Sequence, residues 1–196
     1  MVDKNSVRAF FDKLAPDWES GIKRSEDVIG RILDEAGVKR GADILDVGCG
    51  TGVLIPDYLA RGAASVTAID LSPGMTGIAR RKFAEDKRVT ILTGDAENTD
   101  YRKSFDCIVV YNALPHFVDP AHLISSLAPY LKTGGRLTVA HGMSREALIA
   151  HHKGVPEDVS EILPTAGELA EIFARELKVR EKREDEKMYL VVGEKE

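Results

Sequence analysis

The stretch ILDVGCGTGVL, Ile44 to Leu54, constrains the fold more than any other part of the chain. An apolar run long enough for one strand is followed by Gly48, Gly50 and Gly52, and then by a second apolar run. Glycines spaced this closely after a strand make a tight turn where backbone can approach a ligand, as at the first strand-to-helix turn of an open α/β sheet. Four more short runs follow, SVTAID, VTILTGD, FDCIVVYN and GRLTVAHG, each apolar enough to be buried on both faces. Between the strands lie the helical patterns VLIPDYLARG, SPGMTGIARRKFAE and AHLISSLAPYLKTGG. The last is predicted to end at Gly134 and Gly135, with the pair supplying a left-handed cap. This alternation predicts an α/β fold, a Rossmann-like doubly wound sheet with helices on both faces.

Two helical patterns precede the first strand, SVRAFFDKLAPDW and SEDVIGRILDEAG, with Pro16 predicted to break the first. Two follow the fifth strand, SREALIAHH and TAGELAEIFAREL, where Thr165 and Glu168 have capping-box spacing. The closing runs LKVREKRED and EKMYLVVGEK are joined by a short connection and predict a hairpin. The expected sheet is therefore seven-stranded and mostly parallel, with an antiparallel last strand. One domain is expected over residues 1–196: N-terminal helices over 1–40, a cofactor-binding core over 41–143, substrate-shaping helices over 144–177 and a terminal hairpin over 178–196.

Composition narrows the partners. With 43% hydrophobic and 30% charged residues, the chain has the balance of a soluble globular protein. Its 27 basic and 32 acidic residues leave a net charge of -5, which argues against a nucleic-acid partner. The dense run VREKREDEKM alternates in sign and reads as a solvated face. The N-terminus lacks an apolar signal core and no stretch is long enough to cross a bilayer, so a cytoplasmic location and no membrane partner are expected. Cys49 and Cys107 fall in no disulfide or zinc spacing and are expected to stay reduced. Nothing in the residues specifies an oligomeric state.

The carboxylates around the glycine turn discriminate between nucleotides. A dinucleotide fold uses G-x-G-x-x-G, whose third glycine would fall at Val53, whereas the spacing here is G-x-G-x-G. Asp46, two residues before the first glycine, would repel a pyrophosphate and suit a cationic ligand. Asp70 ends the second strand, where a carboxylate can accept from ribose hydroxyls. Asp95 ends the third, where it can accept from an adenine amino group while the Ala96 amide donates to the ring. Three acids and no Lys or Arg in the turn point to a nucleoside bearing an ammonium and a sulfonium.

With these residues the chain resembles the class I S-adenosylmethionine-dependent methyltransferases, in LDVGCGTG, AIDLSPGM, GDAEN and FDCIVVYNALPHFVDP, in that order. The resemblance implies S-adenosylmethionine as cofactor and S-adenosylhomocysteine as product. It further implies cofactor contacts from Asp46, Gly48, Cys49, Gly50, Gly52, Asp70, Leu71, Met75, Asp95, Ala96 and Asn112. Phe10, Phe11, Leu14 and Trp18 form one apolar helix face, and similar enzymes use such an N-terminal helix as a lid.

Methyl transfer is an in-line displacement that needs alignment, exclusion of water and, for a protonated nucleophile, a base. His116 after the fourth strand and His141 ending the fifth are the candidate catalytic residues, acting on a small-molecule O, S, N or C nucleophile. His151 and His152 could approach His141 as metal ligands only if the chain folds back, so no metal is expected, and His122 reads as an exposed helix residue. The chain lacks an Asn/Asp-Pro-Pro-Tyr run, which also counts against a nucleic-acid substrate. Two other readings stay open: a non-catalytic S-adenosylmethionine-binding or regulatory domain, and a nicotinamide-dependent oxidoreductase, which Asp46 opposes.

Overall fold

The computed structural model describes residues 1–21 and 24–196. Seven strands form one sheet: β1 (Asp43–Val47), β2 (Ser65–Asp70), β3 (Val89–Thr93), β4 (Phe105–Tyr111), β5 (Leu131–His141), β6 (Lys178–Glu184) and β7 (Tyr189–Glu194). Their order is β3-β2-β1-β4-β5-β7-β6. β7 runs antiparallel to both β5 and β6, and the pairs among β1 to β5 are parallel. The predicted seven-stranded, mostly parallel sheet is the one observed.

Side chains that alternate along the strands separate two cores. Leu45, Val47, Ile108, Val110, Leu137 and Val139 face α5 (Pro120–Leu127) and α7 (Ala166–Phe173). Ile44, Val66, Ala68, Cys107 and Val109 face the opposite way, toward α2 (Glu26–Glu35) and α3 (Ile55–Ala60). Each fully buried Leu, Ile or Val stabilises the fold by roughly 1.5–3 kcal/mol. β1 lies between β2 and β4, so the direction of winding reverses there. The crevice beyond the carboxyl ends of β1 and β4 is where open α/β sheets accept ligands.

Three local features follow from particular residues. The N-terminal helix, α1 (Lys4–Leu14), gives way at Ala15 to a 3-10 stretch, Ala15–Gly21, as Pro16 requires. The capping box of Thr165 and Glu168 is formed at the start of α7. Ser144 caps α6 (Arg145–His151) by accepting from the Ala147 amide. The expectation for Gly134 and Gly135 needs correction. α5 ends at Leu127 and a 3-10 turn, Ala128–Tyr130, leads directly into β5, because Pro129 has no N–H with which to continue the helix. The glycine pair lies inside β5, where a β-carbon on Gly135 would meet the carbonyl oxygens of Phe105 and Asp106 at 3.0 and 3.1 Å. There the β4–β5 register shifts between Phe105 and Cys107.

No described helix is long and apolar enough to cross a membrane. Both cysteines are free and buried.

Candidate functional site

The turn after β1 is held from below by β2. The amides of Gly48 and Cys49 both donate to the Ile69 carbonyl, and the Gly50 amide donates to Asp70 Oδ2 at 2.8 Å. The Ser72 amide donates to Asp70 Oδ1 at 2.9 Å, so this carboxylate joins the glycine turn to the start of α4 (Pro73–Lys82). Burial, together with the nearby Asp12 charge, raises the Asp70 carboxyl above its ordinary range against the pull of these amides. Each Asp70 oxygen retains a lone pair, which suits a ribose hydroxyl.

Gly52 has a φ of +82°, and a β-carbon there would fall 2.6 Å from Phe83 Cε2 and 2.9 Å from Ile55 Cδ1. The protein's own packing fixes that position. Gly50, with φ +54°, is different: the nearest atom to a β-carbon would be Trp18 Nε1, at 3.6 Å. That side of the turn is covered by the indole of the N-terminal segment.

Asp46 lies under the turn, 2% exposed, and its Oδ2 has no hydrogen-bond partner among the described residues. Burial pushes its carboxyl up to about 7, the Asp70 charge adds to this, and the neighbouring Tyr58 hydroxyl pulls the other way. An unpartnered buried carboxylate costs free energy that a ligand's ammonium would recover. The residues present therefore fit a nucleoside carrying an ammonium and ribose hydroxyls, and the turn from Gly48 to Gly52 carries no cation for phosphates. Cys49 is buried in the turn and its thiol is pushed well above its usual range by burial, so it is inert.

At the carboxyl end of β3, Asp95 Oδ1 accepts from the Glu97 amide at 3.1 Å, and its Oδ2 accepts from Asn98 Nδ2 and Lys4 Nζ, both at 2.6 Å. Ala96 is buried, Leu71 is half-buried, and Met75 is wholly buried within α4. Asn112 is exposed in a left-handed conformation, φ 53°, where its amide donates to the Ala140 carbonyl and its Oδ1 accepts from the Gly142 amide. It thereby joins the ends of β4 and β5.

The N-terminal segment crosses all of these parts. Asp12 Oδ1 accepts from Ser72 Oγ at 2.5 Å and from the Gly74 amide at 2.8 Å, an extra cap on α4 supplied from α1. Glu19 pairs with Lys82. Phe11 meets Trp18 edge-on at 5.6 Å and His116 at 4.8 Å. Of the predicted apolar face, Phe10, Phe11 and Trp18 are half-buried, whereas Leu14 is exposed, because the helix ends there and the chain turns into the 3-10 stretch. Val7 supplies the buried position instead.

His116 sits in a 3-10 turn, Leu114–His116, and its Nδ1 is 2.9 Å from the Val159 carbonyl. A carbonyl only accepts, so Nδ1 carries the proton and Nε2 keeps its lone pair. Burial lowers His116 to about 4, partly offset by this hydrogen bond. The chain does fold back after α6, bringing His152 within 5.4 Å of the His116 ring, with Ser160 Oγ on His152 Nδ1 at 3.1 Å. His141 is wholly buried with neither ring nitrogen hydrogen-bonded among the described residues, 5.8 Å from the Tyr189 ring, and burial lowers it to about 3. His151 and His122 are exposed. No group of three or more His, Cys, Asp or Glu side chains among the described residues is arranged to hold a metal.

Sequence reasoning did not single out Lys4, Asp12, Glu97 or Val159. Their roles depend on where α1 and the 153–164 loop settle, and no local pattern carries that information.

The sheet order is that of the class I S-adenosylmethionine-dependent methyltransferase fold. Residues 44–135 match a family described as a methyltransferase domain. It is 32% identical over 140 residues to malonyl-[acyl-carrier protein] O-methyltransferase from Acetivibrio thermocellus, covering 70% of this chain and 49% of that one. It is 40% identical over 105 residues to a ubiquinone biosynthesis O-methyltransferase from Xylella fastidiosa, covering 51% and 42%. The chain thus spans about half the length of these relatives. Magnesium protoporphyrin IX methyltransferase from Synechocystis, solved with bound S-adenosylhomocysteine, shares the fold at a TM-score of 0.75 and 18% identity, covering 99% of this chain and 100% of that one.

Proposed function

We propose that this chain transfers a methyl group from S-adenosylmethionine to a small-molecule oxygen acid. The observation that carries the cofactor half is Asp46, a buried carboxylate with an unpartnered oxygen under a glycine turn that carries no cation. In this reading Asp46 and Asn112 meet the methionine portion, and the backbone from Gly48 through Cys49 and Gly50 to Gly52 passes the cofactor. Asp70 holds the ribose, Leu71 and Met75 flank the base, and Asp95 with Ala96 meets the adenine edge. Bound there, S-adenosylmethionine supplies an electrophilic methyl group on a sulfonium.

His116 is the proton acceptor in this reading, through Nε2, with Val159 fixing the tautomer. A base lowered to about 4 is unprotonated throughout the neutral range but too weak to ionise an amine or alkanol efficiently. It suits an acidic acceptor: an activated phenol whose proton it takes, or a carboxyl group that arrives already ionised and needs no base. The relatives named as O-methyltransferases support the same atom type. Phe11 and Trp18 exclude water from the reacting groups. His141 is a packed ring beneath the site, and the helices over 144–177 shape the acceptor pocket. The cysteine usage supports a cytoplasmic setting.

The test is S-adenosylhomocysteine release by the purified protein with S-adenosylmethionine and a panel of carboxylates, phenols, thiols and amines. Turnover with the oxygen acids supports the assignment. Turnover confined to amines would overturn the acceptor class, and binding without turnover would favour a regulatory domain.

A further inference from the structure

The end of β3 carries an arrangement that the assigned cofactor contacts leave unexplained. Asp95 and Glu97 are two carboxylates two residues apart, and the Glu97 side chain is only 1% exposed. Lys4 Nζ lies 2.6 Å from Asp95 Oδ2 and 2.6 Å from Glu97 Oε2, and it comes from the first turn of α1, a separate element. Beyond that ion pair neither Glu97 oxygen has a hydrogen-bond partner among the described residues. A buried carboxylate left without its counter-charge is strongly unfavourable.

We propose that Lys4 completes the adenine end of the cofactor site from the N-terminal helix, as counter-charge to both Asp95 and Glu97, so that the base is held only while that helix is seated. The inference rests on the cofactor reading above. A carboxylate has about four acceptor positions. Asp95 uses three of them, on the Glu97 amide, Asn98 and Lys4, which leaves one for a single amino N–H. Without Lys4, two carboxylates lie together with no cation between them at the point where that N–H must be accepted. The neighbouring Tyr101 hydroxyl is already committed to the Ala96 carbonyl at 3.0 Å and cannot substitute. Asp12 and Glu19 seat the same segment on α4, so Lys4 acts with the helix in place.

Trp18 is the only tryptophan in the chain, so its fluorescence reports the seating of this segment. The experiment is calorimetric binding of S-adenosylhomocysteine to the full chain and to Lys4→Ala, Lys4→Arg, Glu97→Gln and Lys4→Ala/Glu97→Gln, with acrylamide quenching of Trp18 in each. Lys4→Ala should weaken binding roughly tenfold, the scale of a charge-assisted hydrogen bond, and should raise quenching. Lys4→Arg should restore most of the affinity, and the Lys4→Ala penalty should shrink in the Glu97→Gln background. Equal affinities for wild type and Lys4→Ala, or the same penalty in both Glu97 backgrounds, would overturn the proposal while leaving the cofactor reading intact. A wild-type chain that fails to bind S-adenosylhomocysteine overturns both.

Discussion

Trp18 stands over Gly50, its indole Nε1 3.6 Å from the point where a β-carbon on that glycine would lie. That is van der Waals distance, so a nucleoside passing over this face of the turn must displace the indole. Gly50→Ala puts a methyl group where the cofactor must pass and strains a left-handed φ by roughly 1–2 kcal/mol. The expected outcome is S-adenosylhomocysteine affinity lowered more than about tenfold, out of proportion to a small fall in Tm, read by calorimetry beside thermal melting.

Gly52→Ala should behave in the opposite way. Its β-carbon meets Phe83 and Ile55 rather than Trp18, so the cost falls on the fold. A destabilisation of about 2–4 kcal/mol is expected from overpacking and backbone strain together. Denaturant melts of the ligand-free chain should show it.

Asp46 links binding to pH. Its folded carboxyl lies near 7 against an ordinary 3.8, so the stability it contributes is present below 3.8 and is lost as pH rises through about 7. Asp46→Asn should therefore gain thermal stability over wild type at pH 8, with the gain shrinking toward pH 4, while cofactor binding weakens. A bound ammonium favours the ionised carboxylate, so wild type should release protons on binding near pH 6 and the variant should not. Calorimetry in buffers of different ionisation enthalpy distinguishes the two.

His116→Gln should lower kcat by about 10²–10⁴-fold for acceptors that arrive protonated, while S-adenosylhomocysteine affinity stays near wild type. A loss confined to affinity would remove His116 from the chemistry. Pre-steady-state methyl transfer beside equilibrium binding makes the comparison.

His141 affects stability instead. Its folded value, about 3, lies below the ordinary 6.5, so its contribution is complete above 6.5 and is lost as pH falls toward 3. His141→Met removes this dependence and should gain on wild type by about 2 kcal/mol between pH 7 and pH 5. Urea melts at the two pH values provide the check.

The sheet was legible because strands buried on both faces read as continuous apolar runs, as SVTAID and FDCIVVYN do. The glycine turn and the acids at three strand ends were legible for the same reason, since each position is fixed by a strand next to it. Two kinds of feature were not. Gly134 and Gly135 read as a helix cap because a glycine pair after a helical pattern carries the same local signal whether it ends a helix or sits in a strand, as here, with Gly134 at a φ of +75° and Gly135 against a neighbouring backbone. Lys4, Asp12 and Val159 act across sequence separations of 91, 60 and 43 residues, where local patterns hold no record of the partner.

The place of β7 between β5 and β6 sets the order of events on the ribosome. It is the last of the seven strands to emerge, yet it supplies Leu190, Val191 and Val192 to the interior and covers one flank of β5. Until it arrives, a nascent chain holding β1 to β5 presents a long, uncovered strand to other chains. Chaperone dependence should therefore peak late in synthesis, and a ribosome stalled before Tyr189 should hold its nascent chain in an aggregation-prone form.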